Sequence, residues 1–354
     1  MNRETLVSVV MVIRDVERFV AEAIESILRQ TFQDFEFIIL DFGSTDKSKE
    51  IALSYAARDS RIRVSEIPAT DYIQAKIAAC LLPKGQYIAI QDADDVSLPE
   101  RLQLEVEFLE KHPEVGVLGG AVQWVDSEGI YLKTAADYPT EDPEIRAELR
   151  ERNAFWHPTI LMRRDAYVRA GGYRVSLSLA DDYDLWLRIS ERYQCANLPQ
   201  VLLKYRIHPQ QLSLRKKHQQ ILCVLGARAS AALREAGKPD VMNNVAVLTP
   251  SILTSMGIDE VVQKRAIAEG YRYWTKQLYD AGEPDAVVEA ATELLHLCAG
   301  AGVEPTTLAE VHVLAAKAHW KQKRVLSGAI SAGRAVYYRP GLLTRLLGPL
   351  LRLK

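Results

Sequence analysis

The sequence predicts an α/β protein whose mostly parallel sheet is covered by helices, followed by an all-α region. Three observations carry this. Short β-branched apolar runs alternate with segments of helical spacing over the first 90 or so residues. Acidic residues follow the ends of those runs. After about residue 215 alanine, leucine and basic residues dominate and strand-like runs become scarce.

The elements follow in order. "LVSVVMVI" (6–13) is expected as a strand buried on both faces. The stretch 16–31 places Phe19, Val20, Ala23, Ile24, Ile27 and Leu28 at helical spacing. "FEFIILDF" (35–42) is a second strand ending near Asp41, and 43–59 reads as a turn and a helix capped by Ser44 or Thr45. "IRVSEI" (62–67) is a third strand, 72–82 a helix and "QYIAIQ" (86–91) a fourth strand. Ser97, Leu98, Pro99 and Glu100 fit a capping box opening the next helix. A strand over 115–126, a short strand and helix within 157–173 ending at Gly171 and Gly172, and a helix over 181–193 complete the series. Crossovers between parallel strands are right-handed, and ligands bind beyond the carboxyl ends of such strands. Asp15, Asp41 and the acids Asp92, Asp94 and Asp95 therefore belong to one rim.

The 354 residues suffice for two domains, expected as 1–215 and a helical 216–354. In the second, Ala316, His319, Gly328, Ala332, Ala335 and Pro340 loosely fit one tetratricopeptide-like hairpin, with an ordinary bundle as the alternative. The helical part is also a candidate surface for homo-oligomers. With 25% charged residues and a net charge of −2, the chain lacks the basic character of a nucleic-acid binder. Its four cysteines are far apart and suggest neither a zinc site nor a disulfide framework, which fits a reducing cytoplasm. The apolar run at the start is too short for a signal peptide, and no run approaches the roughly 18 residues of a spanning helix. The end, "RPGLLTRLLGPLLRLK", is a cationic amphipathic tail, expected either to pack on the body or to lie on an anionic membrane surface.

On pattern alone the acids of "IAIQDADDVSLPERL" have three readings: a solvated turn with helix capping, a site for a hard divalent cation, or direct hydrogen bonding to a sugar or ribose. The order of motifs is more specific. "SVVMVIRD", "AIESILRQTFQDFEFIILDFGSTD", "GQYIAIQDADDVSLPERL", "DDYDLWLRIS" and "YRIHPQQLS" resemble, in sequence, the motifs of the family 2 glycosyltransferases with the GT-A fold. The resemblance covers about 210 residues and stops before the helical region.

That resemblance implies roles. Asp92 and Asp94 form a D-x-D motif, with Asp94 the direct ligand of Mn2+ or Mg2+, Asp92 close to the ribose or donor sugar and His208 near the metal and diphosphate. Asp15, Asp41, Ser44, Lys76 and Gln91 fall on the donor side. Asp182 stands where the family has its catalytic base, Asp181 beside it orients the acceptor, and His157 lies toward the acceptor. The expected activity is inverting transfer of a sugar from a nucleotide-sugar donor, UDP-linked by preference, to a glycan or lipid-linked acceptor for cell-surface polysaccharide, at the cytoplasmic face of the membrane. The processive Q-x-x-R-W motif is absent, which implies single additions. Val12 to Asp15, Phe42 and Lys76 depart from the family pattern on the nucleobase side. Phe42 cannot hydrogen-bond a base, though it can stack on one. A catalytically weak, scaffold-like protein is the alternative those departures imply.

Overall fold

The computed structural model describes residues 5–67, 71–208, 216–297 and 303–342. The chain divides into two compact units, Met1–Arg206 with Ala231–Val247, and Ile207–Ser230 with Leu248–Lys354. The domain boundary expected at 215 falls at the edge of 209–215, outside the described residues, as does the leucine-rich tail beyond 342.

In the first unit the expected strands form: β1 Val7–Ile13, β2 Phe35–Asp41, β3 Ile62–Glu66 and β4 Tyr87–Ile90. All residues of β4, and all but one each of β1 and β2, are buried, as continuous β-branched and aromatic runs require between two helical layers. They join β5 Val96–Ser97, β6 Val115–Val125, β7 Tyr131–Ala135, β8 Leu161–Arg163 and β9 Gln194–Arg206 in one sheet, ordered β3-β2-β1-β4-β8-β6-β9-β5, with β7 beside β6. β1 to β4, β6 and β9 share a direction; β5, β7 and β8 run against it.

β9 was not legible in the sequence. It contains Pro199, which has no N–H to give a ladder. The β6–β9 register jumps there, from Gly120 opposite Leu198 to Ala121 opposite Val201. The bulge absorbs the proline, and the strand resumes to Arg206.

The helices around this sheet are α1 Val20–Leu28, α2 Ser48–Ala56, α3 Tyr72–Ala79, α4 Arg101–Lys111, α5 Asp142–Leu149, α6 Arg164–Arg169 and α7 Asp181–Ile189. Two expected caps are not made. α2 starts at Ser48, whose N–H donates to Asp46 at 2.9 Å, while Ser44 and Thr45 turn back to Asp41 and Asp15. Ser97 lies in β5, four residues before α4, and its hydroxyl donates to Gln91 Oε1 at 2.6 Å; Glu100 makes no side-chain cap. In both places another polar partner takes the side chain expected to cap the helix.

The second unit is helical. After α8 Lys217–Glu235, whose first part belongs to this unit, come α9 Pro250–Ser255, α10 Glu260–Asp280, α11 Pro284–Leu297, α12 Pro305–Lys321 and α13 Val325–Tyr338. α10 packs on α11 and α12, and α12 on α11 and α13. Among the described residues no helix is long and apolar enough to cross a membrane. Cys80, Cys195 and Cys223 are buried, and no disulfide forms among the described residues.

Candidate active site

The parallel strands end on one rim, and two loops there are tied together. Asp41, last in β2, lies opposite Ile13 of β1 and Glu66 of β3. Its carboxylate accepts from the N–H of Gly43 (3.1 Å) and of Ser44 and from the Ser44 hydroxyl. Gly43 sits at φ +93°, which a side chain would strain. Asp15 leaves β1 at φ +51°, and its carboxylate accepts from Thr45 N (2.7 Å) and Thr45 Oγ1 (3.0 Å), while its own N–H donates to Ser44 Oγ (3.3 Å). The structure thus brings Asp15, Asp41 and Ser44 together. Asp41, 1% exposed, shapes the turn from within, whereas Asp15 is half-exposed. Phe42 is buried, 6.1 Å from the Tyr72 ring, and the Arg14 guanidinium lies 5.2 Å over its ring. The face expected to meet a base is already covered by Arg14.

The D-x-D loop follows β4 and is built around Gln91. This amide is buried and fully used: Nε2 donates to the carbonyls of Asp92 (2.9 Å) and Asp95 (3.0 Å), and Oε1 accepts from Ser97 Oγ and Arg101 Nη1. Gln91 therefore sculpts the loop and has no hydrogen-bonding position left for a donor, contrary to expectation. Arg101, wholly buried, also donates to the carbonyls of Ile90 (2.8 Å) and Ile160 (3.3 Å). From β9, Arg206 closes the loop on its other side. Its N–H donates to Asp95 Oδ1 (2.8 Å) and its Nε to the Asp94 carbonyl (2.9 Å), while Nη2 reaches Glu22 (2.7 Å) and Nη1 the Ser127 carbonyl (3.2 Å).

The three acids of the loop separate by environment. Asp95 is 1% exposed, and its Oδ2 has no hydrogen-bond partner among the described residues. Burial pushes its carboxyl well above the ordinary range, and the charges of Asp94 and Asp92 add to the push. It is a brace against β9 and caps no helix, because α4 begins six residues later. Asp92 and Asp94 are half-buried. Asp92 Oδ1 lies 3.7 Å from His157 Nδ1, an electrostatic contact longer than a hydrogen bond. Burial opposes ionisation of Asp92, but His157, Lys76 and Arg101 together hold its carboxyl below the usual value.

Opposite the loop stands the start of α7. Lys76, on α3, donates to Asp181 Oδ2 at 2.5 Å, and its Nζ lies 4.3 Å from the centre of the Tyr173 ring. Both partners are buried. Burial alone would discharge Lys76, but Asp181, Asp182 and Asp92 outweigh it and keep the amine a cation. Burial pushes the Asp181 carboxyl up, Lys76 offsetting part of this and Asp182 adding to it. Asp182 Oδ2 accepts from Asn153 Nδ2 at 2.9 Å. α7 is held in place by Asp184, buried between Arg174 and Arg188, and Arg188 donates on to the Gly172 carbonyl at 2.7 Å.

His157 bridges the two sides. It opens a 3-10 turn, His157–Thr159, and its Nε2 is 3.2 Å from Tyr173 Oη. The neighbouring Trp156 packs edge-on against Trp124 and Tyr138, each at 5.6 Å, which fixes the turn. Asp92, His157, Lys76, Asp181 and Asp182 thus form one charged cluster at the rim. His208 is buried and belongs to the second unit. Sequence reading missed Arg101, Arg206, Asn153 and Tyr173. Arg101 and Arg206 had a signal, their places in the D-x-D and Tyr-Arg-x-His segments.

Comparisons with known proteins identify the family and the fold. Residues 8–170 match the family described as Glycosyl transferase family 2. The putative glycosyltransferase EpsE of Bacillus subtilis is 40% identical over 212 residues, which are 58% of this chain and 74% of that protein. The O-antigen biosynthesis glycosyltransferase WbnJ of Escherichia coli is 30% identical over 244 residues, 68% of this chain and 92% of that one. The S. aureus TarS 1–349 structure in complex with UDP is similar in fold, with a TM-score of 0.53 at 16% identity over 95% of this chain and 92% of that chain. A sheet rim carrying the D-x-D loop, relatives of this identity and a shared fold lead to one conclusion: the chain is a glycosyltransferase and belongs to the family 2 glycosyltransferases.

Proposed function

We propose that the protein transfers a single sugar from a nucleotide-sugar donor to a hydroxyl of a glycan or lipid-linked acceptor, with inversion and with a divalent cation, in the synthesis of a cell-surface polysaccharide. The observation that carries this is the convergence of Asp92, His157, the Lys76–Asp181 pair and Asp182 at the carboxyl ends of the strands. WbnJ, named for O-antigen biosynthesis, supports the polysaccharide setting.

In this reading the acceptor oxygen bonds to the anomeric carbon as the carbon–oxygen bond to the diphosphate breaks. The bonding pair leaves with the diphosphate, and the hydroxyl proton passes to Asp182. A hydroxyl is a weak nucleophile, so a positioned carboxylate is needed to take that proton. Asn153 holds one Asp182 oxygen by a 2.9 Å bond and thereby orients the carboxylate. Attack opposite the leaving group inverts the centre through an oxocarbenium-like state. The Lys76 cation lowers the cost of negative charge gathering at the rim, and Asp181 keeps it oriented. His157, between Asp92 and Tyr173, stands on the acceptor side.

The donor set suits a hard cation. Three carboxylates fall within four residues, and one buried oxygen, Asp95 Oδ2, has no hydrogen-bond partner among the described residues. Among the described residues no three such side chains gather at metal-binding geometry. Asp92 and Asp94 would therefore be the protein's share of a Mn2+ or Mg2+ shell completed by phosphate oxygens and water. When bound, the cation would neutralise charge on the departing diphosphate.

A thermal-shift screen of nucleotide sugars, UDP-linked ones first, with and without Mn2+ tests this. Stabilisation by a donor that needs the metal and is lost in Asp94→Ala is expected. A donor that stabilises the protein equally in Asp94→Ala would remove the metal role, and no response from any donor would favour a non-catalytic protein. The working place proposed is the cytoplasmic face of the membrane, where lipid-linked acceptors are extended.

A further inference from the structure

α13 is built the wrong way round for a helix that simply closes a domain. At 100° per residue, Gly328, Ser331 and Ala335 share one face. These are its buried residues, all small. They pack on α12 so closely that a Cβ on Gly328 would stand 2.3 Å from Trp320 Nε1. Leu326, Ile330 and Tyr337 lie on the opposite face at i, i+4 and i+11, and they are 76%, 51% and 81% exposed. An amphipathic helix normally turns its large apolar side chains toward the core. Here they form an outward stripe, with Val325 (69% exposed) beside its start.

The charge around that stripe indicates what meets it. The chain as a whole carries −2, yet no Asp or Glu follows Glu310, while nine Lys and Arg do. Lys323 and Arg324 precede α13, Arg334 lies within it and Arg339 follows it. A second copy of this chain would bring another set of cations to the same face. A surface that is apolar beneath and anionic above matches both properties at once.

We propose that the outward face of α13 seats the protein on an anionic lipid bilayer, with Leu326, Ile330 and Tyr337 entering the headgroup boundary and the flanking cations meeting lipid phosphates. This rests on the membrane placement proposed above and names the surface responsible. It does not depend on the transfer chemistry.

Cosedimentation of the full chain with vesicles tests it, using phosphatidylcholine alone and phosphatidylcholine mixed three to one with phosphatidylglycerol. The wild type binds the anionic vesicles, and added salt weakens the binding. Leu326→Ser with Ile330→Ser lowers the partition at least about ten-fold, since two partly buried aliphatic side chains are lost. Arg334→Ala lowers it about five-fold on anionic vesicles and has no effect on neutral ones. Because these side chains are exposed, the melting temperature stays that of the wild type, which separates lost docking from lost folding. Donor-induced thermal stabilisation, read on the same variants, stays unchanged and separates failure of docking from failure of the transferase reading. Wild-type protein that does not sediment with anionic vesicles, or variants that sediment like wild type, overturns the proposal. So does a wild-type dimer, seen by light scattering, that Leu326→Ser with Ile330→Ser splits without any vesicle binding. In that case the face belongs to a second copy.

Discussion

Replacing Lys76 with Met removes the cation from a deeply buried ion pair at the rim. The two side chains are 6% and 7% exposed and 2.5 Å apart. Methionine keeps the volume of the lysine stem, so the change is electrostatic. It leaves Asp181 buried beside Asp182 without its counter-charge. Removing one partner of such a pair costs about 3–5 kcal/mol. At about 2–4 °C per kcal/mol for a domain of this size, melting of the first unit falls by roughly 6 °C or more. The pH dependence identifies the cause. Burial already raises the Asp181 carboxyl in the native protein, and loss of Lys76 raises it further. A carboxyl whose folded pKa lies above its unfolded value stabilises in acid and loses that contribution as pH rises through the folded pKa. The gap between wild type and Lys76→Met is therefore smallest in acid and widens toward neutral pH. Urea unfolding across that range reads the gap, and a double-mutant cycle with Asp181→Asn reads the coupling. A gap that does not change with pH, or a coupling under about 0.5 kcal/mol, would refute the reasoning.

Three further outcomes are expected. Asp182→Asn keeps donor-induced stabilisation and lowers transfer by about 10²–10⁴-fold in a product assay; unchanged transfer removes Asp182 as the base. Arg206→Ala frees the Asp94 carbonyl and weakens donor binding in the presence of metal, and Arg206→Lys does not restore it, because a single amine cannot span the contacts of the guanidinium fork; rescue by lysine would show that charge alone matters. Glu105 is fully buried beside Arg101, and burial pushes its carboxyl up to about 7. Its neutral form favours folding, so about 3 kcal/mol of stability fades as pH rises from about 4.5 to 7. Glu105→Gln flattens that part of the stability profile in thermal melts, and a profile unchanged by the substitution contradicts the assignment.

The legibility of this protein varied along the chain for physical reasons. β1 to β4 were readable because strands covered on both faces must be continuously apolar. β9 was not, because its proline is accommodated by a bulge that exists only against β6. Ser97 looked like a cap because local pattern cannot show that Gln91 and Arg101 compete for its hydroxyl. Arg101 and Arg206 lie within recognisable motifs, yet arginines are mostly exposed and nothing local shows that these two are buried. Arg101 satisfies the carbonyls of Ile90 at the end of β4 and of Ile160, and Arg206 the Asp94 carbonyl of the loop.

By itself, the sequence determined the α/β order, the helical second region, the rim on which the acids gather and the family whose motifs they match. These follow from periodicity and from residues close together in the chain. The tertiary structure alone decided what each acid does. It spent Asp41 and Gln91 on shaping turns, braced Asp95 against β9 and paired Lys76 with Asp181 across 105 residues of sequence. The role of a carboxylate depends on its burial and on its nearest cation, and both come from chain segments far away in the sequence.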